Sequence, residues 1–295
     1  SQAGAQSGNV ARNAVLGSSL PESVPGTTVD RQCGSSQQAI HFAAQAVMSE
    51  TQDIVIAGGV EVMSKVPIGA AIVDSYKAGH GQPFDGKGMT KRYPGVQFSQ
   101  FAGAEMIAER WSLSREQLDS FAFASHQKAI NATEEGYFDR EIVPVEGELP
   151  SGEKEMVTVD EGIRFDASPE SLSGLNILSE DGVLTAGTSS QICDGAAAIM
   201  IVNDAGLKKL SIKPRAKIVA LALAGDDPVI MLTGPIPASK NVLNKAKLSI
   251  EDIDLYEVNE AFAPVPLAWA LELGADLDKL NVNGGAMALG HPLGG

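Results

Sequence analysis

Positive charge, cysteine and aromatic side chains are all scarce in this chain, and long apolar runs are missing from it. The formal net charge is −15, and no Lys/Arg cluster stands out, which excludes the usual nucleic-acid and anionic-membrane binders. A chain this acidic that binds an anionic ligand must do so locally, with a few cations and backbone N–H groups. Two cysteines, Cys33 and Cys193, make no disulfide framework, and neither lies in a CxxC or His/Cys spacing that would hold a metal. A reducing compartment is expected, and with it a cytoplasmic location. No apolar stretch reaches membrane-spanning length. Residues 1–17 have no basic segment followed by an apolar one, so they are not a secretory signal. They also lack an initiator Met, and the sequence is expected to start inside a longer chain.

What is present is the material of a large globular protein: 44% apolar, 20% charged and 31 glycines. Residues 8–18 read as a helix, "TTVD" (27–30) as a strand, and 34–48 as a helix with Ala39, Ile40, Ala43, Ala46 and Val47 on one face. "DIVIAGG" (53–59) reads as a buried strand. This is an α/β layered pattern. Residues 64–184 change character. A Gly-, Lys- and Asp-rich surface excursion over 74–95 precedes helices at 99–111 and 114–136, the second opened by a Ser114/Gln117 capping-box spacing. Residues 147–162 are turn-rich and acidic. From 185 the α/β pattern returns, with strands expected at 196–203, 215–225 and 252–259 and helices at 239–247 and 261–273. We therefore expect an N-terminal half over 1–63, an inserted lobe over 64–184 and a C-terminal half over 185–295.

The two halves echo one another. Cys33 and Gly58 are 25 residues apart, as are Asn259 and Gly284. Each interval begins at a strand-to-helix turn and ends at a glycine pair. If the halves are structural copies, the two turns face each other across a pseudo-two-fold axis.

Cys33 is either a packed small thiol or a nucleophile. For the second reading, the helix that follows it offers unpaired N–H groups and a positive dipole end that favour thiolate. Gly34, Ser35 and Ser36 leave room for a substrate carbonyl to approach those N–H groups. His291, between Gly290 and Pro292, is a surface turn residue or the base that takes the Cys33 proton. Asn259, followed by Glu260, is a helix N-cap or a side-chain amide that polarises a thioester oxygen. His41 and His126 read as structural, His80 lies in the Gly-rich excursion, and Cys193 reads as a packed residue leading into a buried strand.

Six stretches together resemble the thiolase family (acetyl-CoA acyltransferases): "TTVDRQCGSSQQAIHFAAQAV", "IVIAGGVEVMSK", "TAGTSSQICDGAAA", "TGPIPAS", "EVNEAFA" and "NVNGGAMALGHP". They run in order along nearly the whole chain. The resemblance implies a duplicated α/β/α layered fold with an inserted loop lobe. It implies CoA-dependent cleavage of a 3-oxoacyl-CoA to acetyl-CoA and a shortened acyl-CoA, reversibly, through an S-acyl cysteine, as in fatty-acid or related acyl-CoA degradation. By the same resemblance Cys33 is acylated, His291 takes its proton, and Asn259 orients a water of the oxyanion hole. The lobe holds coenzyme A as a substrate, with no tightly bound cofactor and no metal. Arg164 would lie by the nucleotide and Ser171 near the pantetheine, with Ala186 and Ser190 beside the pantetheine arm. The expected partners are acyl-CoA, CoA and further copies of the chain in a homodimer or homotetramer, with no nucleic acid and no membrane.

Two departures bear on function. The family carries a second catalytic cysteine in a CxG motif after the GHP motif, and a first strand and helix ahead of the present start. The sequence is thus expected to be incomplete at both ends and, as it stands, to do no more than acylate Cys33. Short-chain members show a His-Met pair entering the helix that here begins with Ser99 and Gln100, which points to longer or bulkier, ring-derived acyl groups. The alternatives are a biosynthetic acetoacetyl-CoA-forming thiolase, a decarboxylating 3-oxoacyl synthase of the same fold, which "NEAFA" and "GHP" speak against, and a lipid- or CoA-binding relative without turnover.

Overall fold

The computed structural model describes residues 2–149 and 151–295. Pro150, inside the turn-rich stretch, and Ser1 lie outside the described residues. In chain order the elements begin with α1 (Val10–Leu16), α2 (Ser35–Met48), β1 (Ile54–Val62), α3 (Ala70–Lys77), α4 (Lys87–Arg92), α5 (Gln100–Arg110) and α6 (Arg115–Glu134). Then come β2 (Val145–Glu148), β3 (Lys154–Val157), α7 (Pro169–Ser173), β4 (Asp194–Val202), α8 (Asp204–Leu210), α9 (Pro235–Ala246), α10 (Pro264–Leu273) and α11 (Ala286–Leu289). The chain divides into two compact units. One comprises 1–96, 192–219 and 292–295, and the other 97–191 and 220–291.

In the first unit, β1 and β4 pair antiparallel from Ile54↔Val202 to Val62↔Asp194, and α2 packs on both strands. The helix buries Gln38, His41, Ala43, Ala44 and Val47. That stripe is turned slightly from the one expected, since Gln38 and His41 are buried in place of Ala39 and Ile40. The strands are less buried than the sequence suggests: Ile56 and its cross-strand partner Met200 are both about half exposed. Each strand has one ladder neighbour among the described residues, so its outer edge is unpaired there. The glycine pair in β1 serves close packing. A Cβ on Gly58 would stand 2.8 Å from the Ala197 carbonyl, and one on Gly59 would strike the Gly294 carbonyl.

The second unit is built around α6. Its Ser114 hydroxyl accepts the Gln117 N–H while the Gln117 side chain accepts the Ser114 N–H, the expected capping box. Leu118, Ala122, Ser125, His126 and Ala129 recur at helical spacing and are all buried. Leu118 and Ala122 join Ile107, Leu184, Phe262, Val265 and Met287 in the core, and Ala129 packs with Ile130, Ile163 and Ala288. The helix α5 is capped by Ser99, whose hydroxyl accepts the Ala102 N–H, so serine at that position meets a local need.

Three expected strands are not formed. Residues 27–30 and 215–225 run without a ladder, and of 252–259 only Tyr256 bridges, in parallel with Leu280. Apolar, β-branched sequence makes a segment extended, but a strand also needs a neighbour to bond to. Two helices begin elsewhere than expected, and proline sets both starts. Pro235 stands at N1 or N2 of α9, which therefore opens before residue 239, and Pro264 does the same for α10, which opens after 261.

Candidate active site

Cys33 lies in a 3-10 turn, Gln32–Gly34, that runs directly into α2, and it is half-buried. The turn is held by short polar links. The Asp30 carboxylate accepts the Gln32 N–H at 3.1 Å, and the Ser35 hydroxyl accepts the Arg31 N–H at 2.9 Å while donating to the Gln32 carbonyl at 2.6 Å. Arg31 reaches along the helix to the Gln38 amide oxygen at 3.1 Å. Gln32 itself sits at φ +47°, a left-handed conformation that is uncommon for a residue with a side chain. No side chain caps the first turn of α2, and the 3-10 turn engages its entry: the Gly34 N–H donates to the Arg31 carbonyl at 3.1 Å and the Ser35 N–H to the Gln32 carbonyl. Sequence reasoning gave Ser35 the role of making room for a substrate. Its hydroxyl instead closes the turn, together with Asp30, which sequence reasoning did not single out.

Asn259 and His291 come together in the second unit. The Asn259 Nδ2 lies 3.4 Å from the His291 Nε2. For the amide to donate there, Nε2 must carry the lone pair and Nδ1 the proton. Burial holds the His291 pKa below the ordinary histidine value of 6.5, so the neutral ring prevails at neutral pH. Asn259 is not a helix cap, since α10 starts at Pro264 with Ala263 as its N-cap.

The segment leading to His291 is clamped from several sides. The Gln191 side chain donates to the carbonyls of Gly162, at 2.6 Å, and Met287, at 2.7 Å, and the Gln191 carbonyl accepts the His291 N–H at 3.1 Å. Gly284, at φ +84°, leaves no space for a side chain: a Cβ would stand 2.7 Å from that of Ala129. Gly285 has an ordinary extended backbone, but a Cβ there would strike the Glu260 carboxylate. That carboxylate is buried and held by hydrogen bonds, so it cannot swing aside. Gly285→Ala is expected to destabilise the protein by roughly 1–3 kcal/mol, read as a lowered thermal midpoint, with an unchanged melt counting against the packing described.

The positions expected to hold coenzyme A are placed as follows. Arg164 is exposed, and its N–H donates to the Nδ1 of buried His126 at 3.2 Å. Burial and the Arg164 charge both lower the His126 pKa, which keeps the ring a neutral acceptor. Ser171 is exposed at the third position of α7, its hydroxyl engaged with Ser168 in a second capping box. Ala186 is exposed, and Ser190 is half-buried with its N–H on the Ala261 carbonyl at 3.0 Å. The Thr188 carbonyl accepts the Ala263 N–H, so the 186–190 loop lies against the residues that follow Asn259. His126 and Gln191 were not picked out as site-building residues, because both act on backbone groups that no motif announces. Cys193 is half-buried, and β4 beyond it is largely exposed where a buried strand was expected.

Family models for the thiolase N-terminal domain and the thiolase C-terminal domain match residues 1–205 and 212–295. The chain belongs to the thiolase family. It is an acyl-CoA thiolase, an acyltransferase. It is 49% identical over 292 residues to a steroid 3-ketoacyl-CoA thiolase of Mycobacterium tuberculosis, covering 99% of this chain and 70% of that protein. It is 44% identical to a 3-ketoacyl-CoA thiolase of Aliivibrio fischeri, covering 97% and 72%. Its fold matches the crystal structure of human mitochondrial 3-ketoacyl-CoA thiolase with a TM-score of 0.86 at 35% identity, over 100% of this chain and 75% of that one. A structure of the human enzyme in complex with CoA matches at 0.84 and 34% identity, over 100% and 74%. Thiolase membership confirms the duplicated α/β/α layered class. Among the described residues, no helix is long and apolar enough to cross a membrane.

Proposed function

We propose that this thiolase cleaves 3-oxoacyl-CoA esters with Cys33 as nucleophile, His291 as base and Asn259 as a donor to developing negative charge. The observation that carries the reading is the contact of the Asn259 amide with the His291 Nε2, together with the burial that favours the neutral imidazole. The Cys33 proton passes to His291. The thiolate attacks the 3-oxo carbon, the bond between carbons 2 and 3 breaks, and its electron pair leaves on acetyl-CoA as the enolate. His291 and an Asn259-bound water would stabilise that enolate oxygen, and the proton His291 took from Cys33 passes to carbon 2 to give acetyl-CoA. CoA thiol then gives its proton to His291 and its sulfur takes the acyl group from Cys33, whose departing thiolate recovers that proton from His291. A sulfur nucleophile suits this reversible exchange because thiolate is both a good attacker and a good leaving group.

Coenzyme A would be held by the lobe over 64–184 and the loop after it, with Arg164 at the nucleotide and Ser171, Ala186 and Ser190 along the pantetheine. The Arg164 side chain is exposed and its backbone is pinned by His126, which fits a cation kept ready for phosphate. The CoA complex of the human relative supports CoA as substrate. The low cysteine content supports a cytoplasmic setting, and the family supports a homodimer or homotetramer, against which a monomeric sedimentation mass would count.

For the acyl group we favour a bulky, ring-derived chain in a degradative sequence. Ser99 and Gln100 in place of a His-Met pair support this, as does the 49% identity to a thiolase named for steroids. The expected result is a kcat/KM at least about tenfold higher for a ring-bearing 3-oxoacyl-CoA than for acetoacetyl-CoA. The reverse ratio would favour the short-chain biosynthetic reading. CoA binding with no acyl transfer on either substrate would favour a binding protein without turnover.

A further inference from the structure

Glu260 directly follows Asn259, yet its side chain goes the other way and has no exposure at all. A buried carboxylate is costly unless its oxygens are satisfied. Here they are. Oε1 accepts from the Asn281 side-chain amide at 2.9 Å, and Oε2 accepts from the Ser125 hydroxyl at 2.7 Å and the Met287 N–H at 3.1 Å. The Ser125 hydroxyl oxygen in turn accepts the Gly285 N–H at 3.0 Å. Asn281 grips the other side of Asn259: its Oδ1 accepts the Val258 N–H and its Nδ2 donates to the Val258 carbonyl, each at 2.9 Å. The Met287 bond and the Ser125–Gly285 relay thus join the segment carrying Asn259 to the glycine pair and α11, which lead straight into His291, and Asn281 ties the same segment to the stretch just ahead of Gly284. Glycine at 285 belongs to the same arrangement, since any side chain there would displace the carboxylate.

We propose that Glu260 is the positioning residue that sets His291 against Asn259, through Asn281, Ser125 and the first turn of α11. This rests on the reading of His291 as the catalytic base. An ionised carboxylate offers only acceptors to three donors, and the isosteric amide cannot replace it. If the amide nitrogen takes the Oε2 place, it meets the Met287 N–H. If it takes the Oε1 place, it meets an Asn281 amide that its two bonds to Val258 hold from flipping. Either way α11 shifts relative to residue 259, and a misplacement of about 1 Å lowers turnover steeply.

The test uses the complete gene product carrying Glu260→Gln, Glu260→Asp or Ser125→Ala, with the His291 ring observed through a ¹³Cε1 histidine resonance assigned by its loss in His291→Ala. Glu260→Gln is expected to lower kcat by roughly 10- to 100-fold with KM for CoA little changed, and to move the His291 resonance. Glu260→Asp, which keeps the charge, is expected to restore part of that loss. A Glu260→Gln protein that melts lower but keeps wild-type kcat and an unmoved His291 resonance overturns the proposal, because the carboxylate is then only structural. If Glu260→Gln does not fold, Ser125→Ala decides: a loss in kcat with the resonance shift supports the positioning role, and unchanged values overturn it. Failure of the underlying reading looks different, since it appears as undiminished turnover in His291→Ala.

Discussion

Replacing Cys33 by alanine is expected to abolish the covalent acyl adduct and to lower thiolytic turnover by at least about four orders of magnitude. The measurement is an intact mass after incubation with an acyl-CoA, taken with Cys33→Ala and Cys193→Ala alongside. The wild-type chain and Cys193→Ala should gain one acyl group, and Cys33→Ala none. The size of the effect follows from chemistry: no other group at the turn can form the thioester. The turn is the reason to favour Cys33 over Cys193 as the proposed nucleophile. Asp30 and Ser35 bind the backbone of Arg31 and Gln32 just ahead of Cys33, Gln32 takes a left-handed conformation, and the first turn of α2 carries no side-chain cap. Nothing in such an arrangement is required merely to pack a small thiol. It does place a sulfur at a helix entrance, where the positive end of the helix dipole favours negative charge. The change costs little packing, because Cys33 is half-buried, so the melt should move by no more than about 1 kcal/mol in stability. An adduct that survives in Cys33→Ala would sink the assignment, and loss of the adduct in Cys193→Ala would move it.

Those same residues mark what could be read from sequence and what could not. A cysteine followed by glycine and serines ahead of an apolar helix is a local pattern, and α2 starts where that pattern says it should. The capping box of α6 is local too, and it was legible for the same reason. The strands expected at 27–30, 215–225 and 252–259 were not, because pairing depends on what lies alongside and not on the segment itself. Asn259 was legible as a polar residue at a turn and as a family match, but its cap reading failed because α10 opens only at Pro264. Glu260 was in view beside it and went without a role, since nothing in "YEVNEAFA" says that one acidic side chain will be entirely buried. The glycine pair at 284 and 285 stood out as a repeat of the pair at 58 and 59. Its physical reasons, Ala129 beneath one glycine and Glu260 against the other, come from residues distant in sequence. The same holds for His126 and Gln191, whose partners are main-chain atoms more than 25 residues away. Candidate reactive residues were therefore easier to propose from sequence than the residues that pack and bond around them.

Replacing His291 by alanine is expected to lower kcat/KM by roughly 10²- to 10⁴-fold, the usual range for a positioned acid–base group. It should leave CoA binding measurable, because the residues proposed for that task lie elsewhere. The pH dependence separates a base from a merely structural histidine. Burial disfavours the imidazolium, so the folded pKa lies below 6.5. The Asn259 amide adds to this in one direction only: its Nδ2, 3.4 Å from Nε2, can donate to a lone pair but not to a second N–H, so protonation would set two donors against each other. A base works in its neutral form. Activity should therefore be full above the His291 pKa and fall as pH drops through it, giving kcat/KM an acid limb with its midpoint under 6.5. In His291→Ala the residual activity should lose that limb. The sign is fixed by the role: a histidine that had to be charged, to donate to the thioester from the outset, would give activity that rises as pH falls. A limb that persists unchanged in His291→Ala would assign the titration to another group, and the imidazole would then only help to shape the turn. Loss of the limb together with the rate would leave the Asn259–His291 pair as the point where the Cys33 proton is received and the enolate oxygen is held.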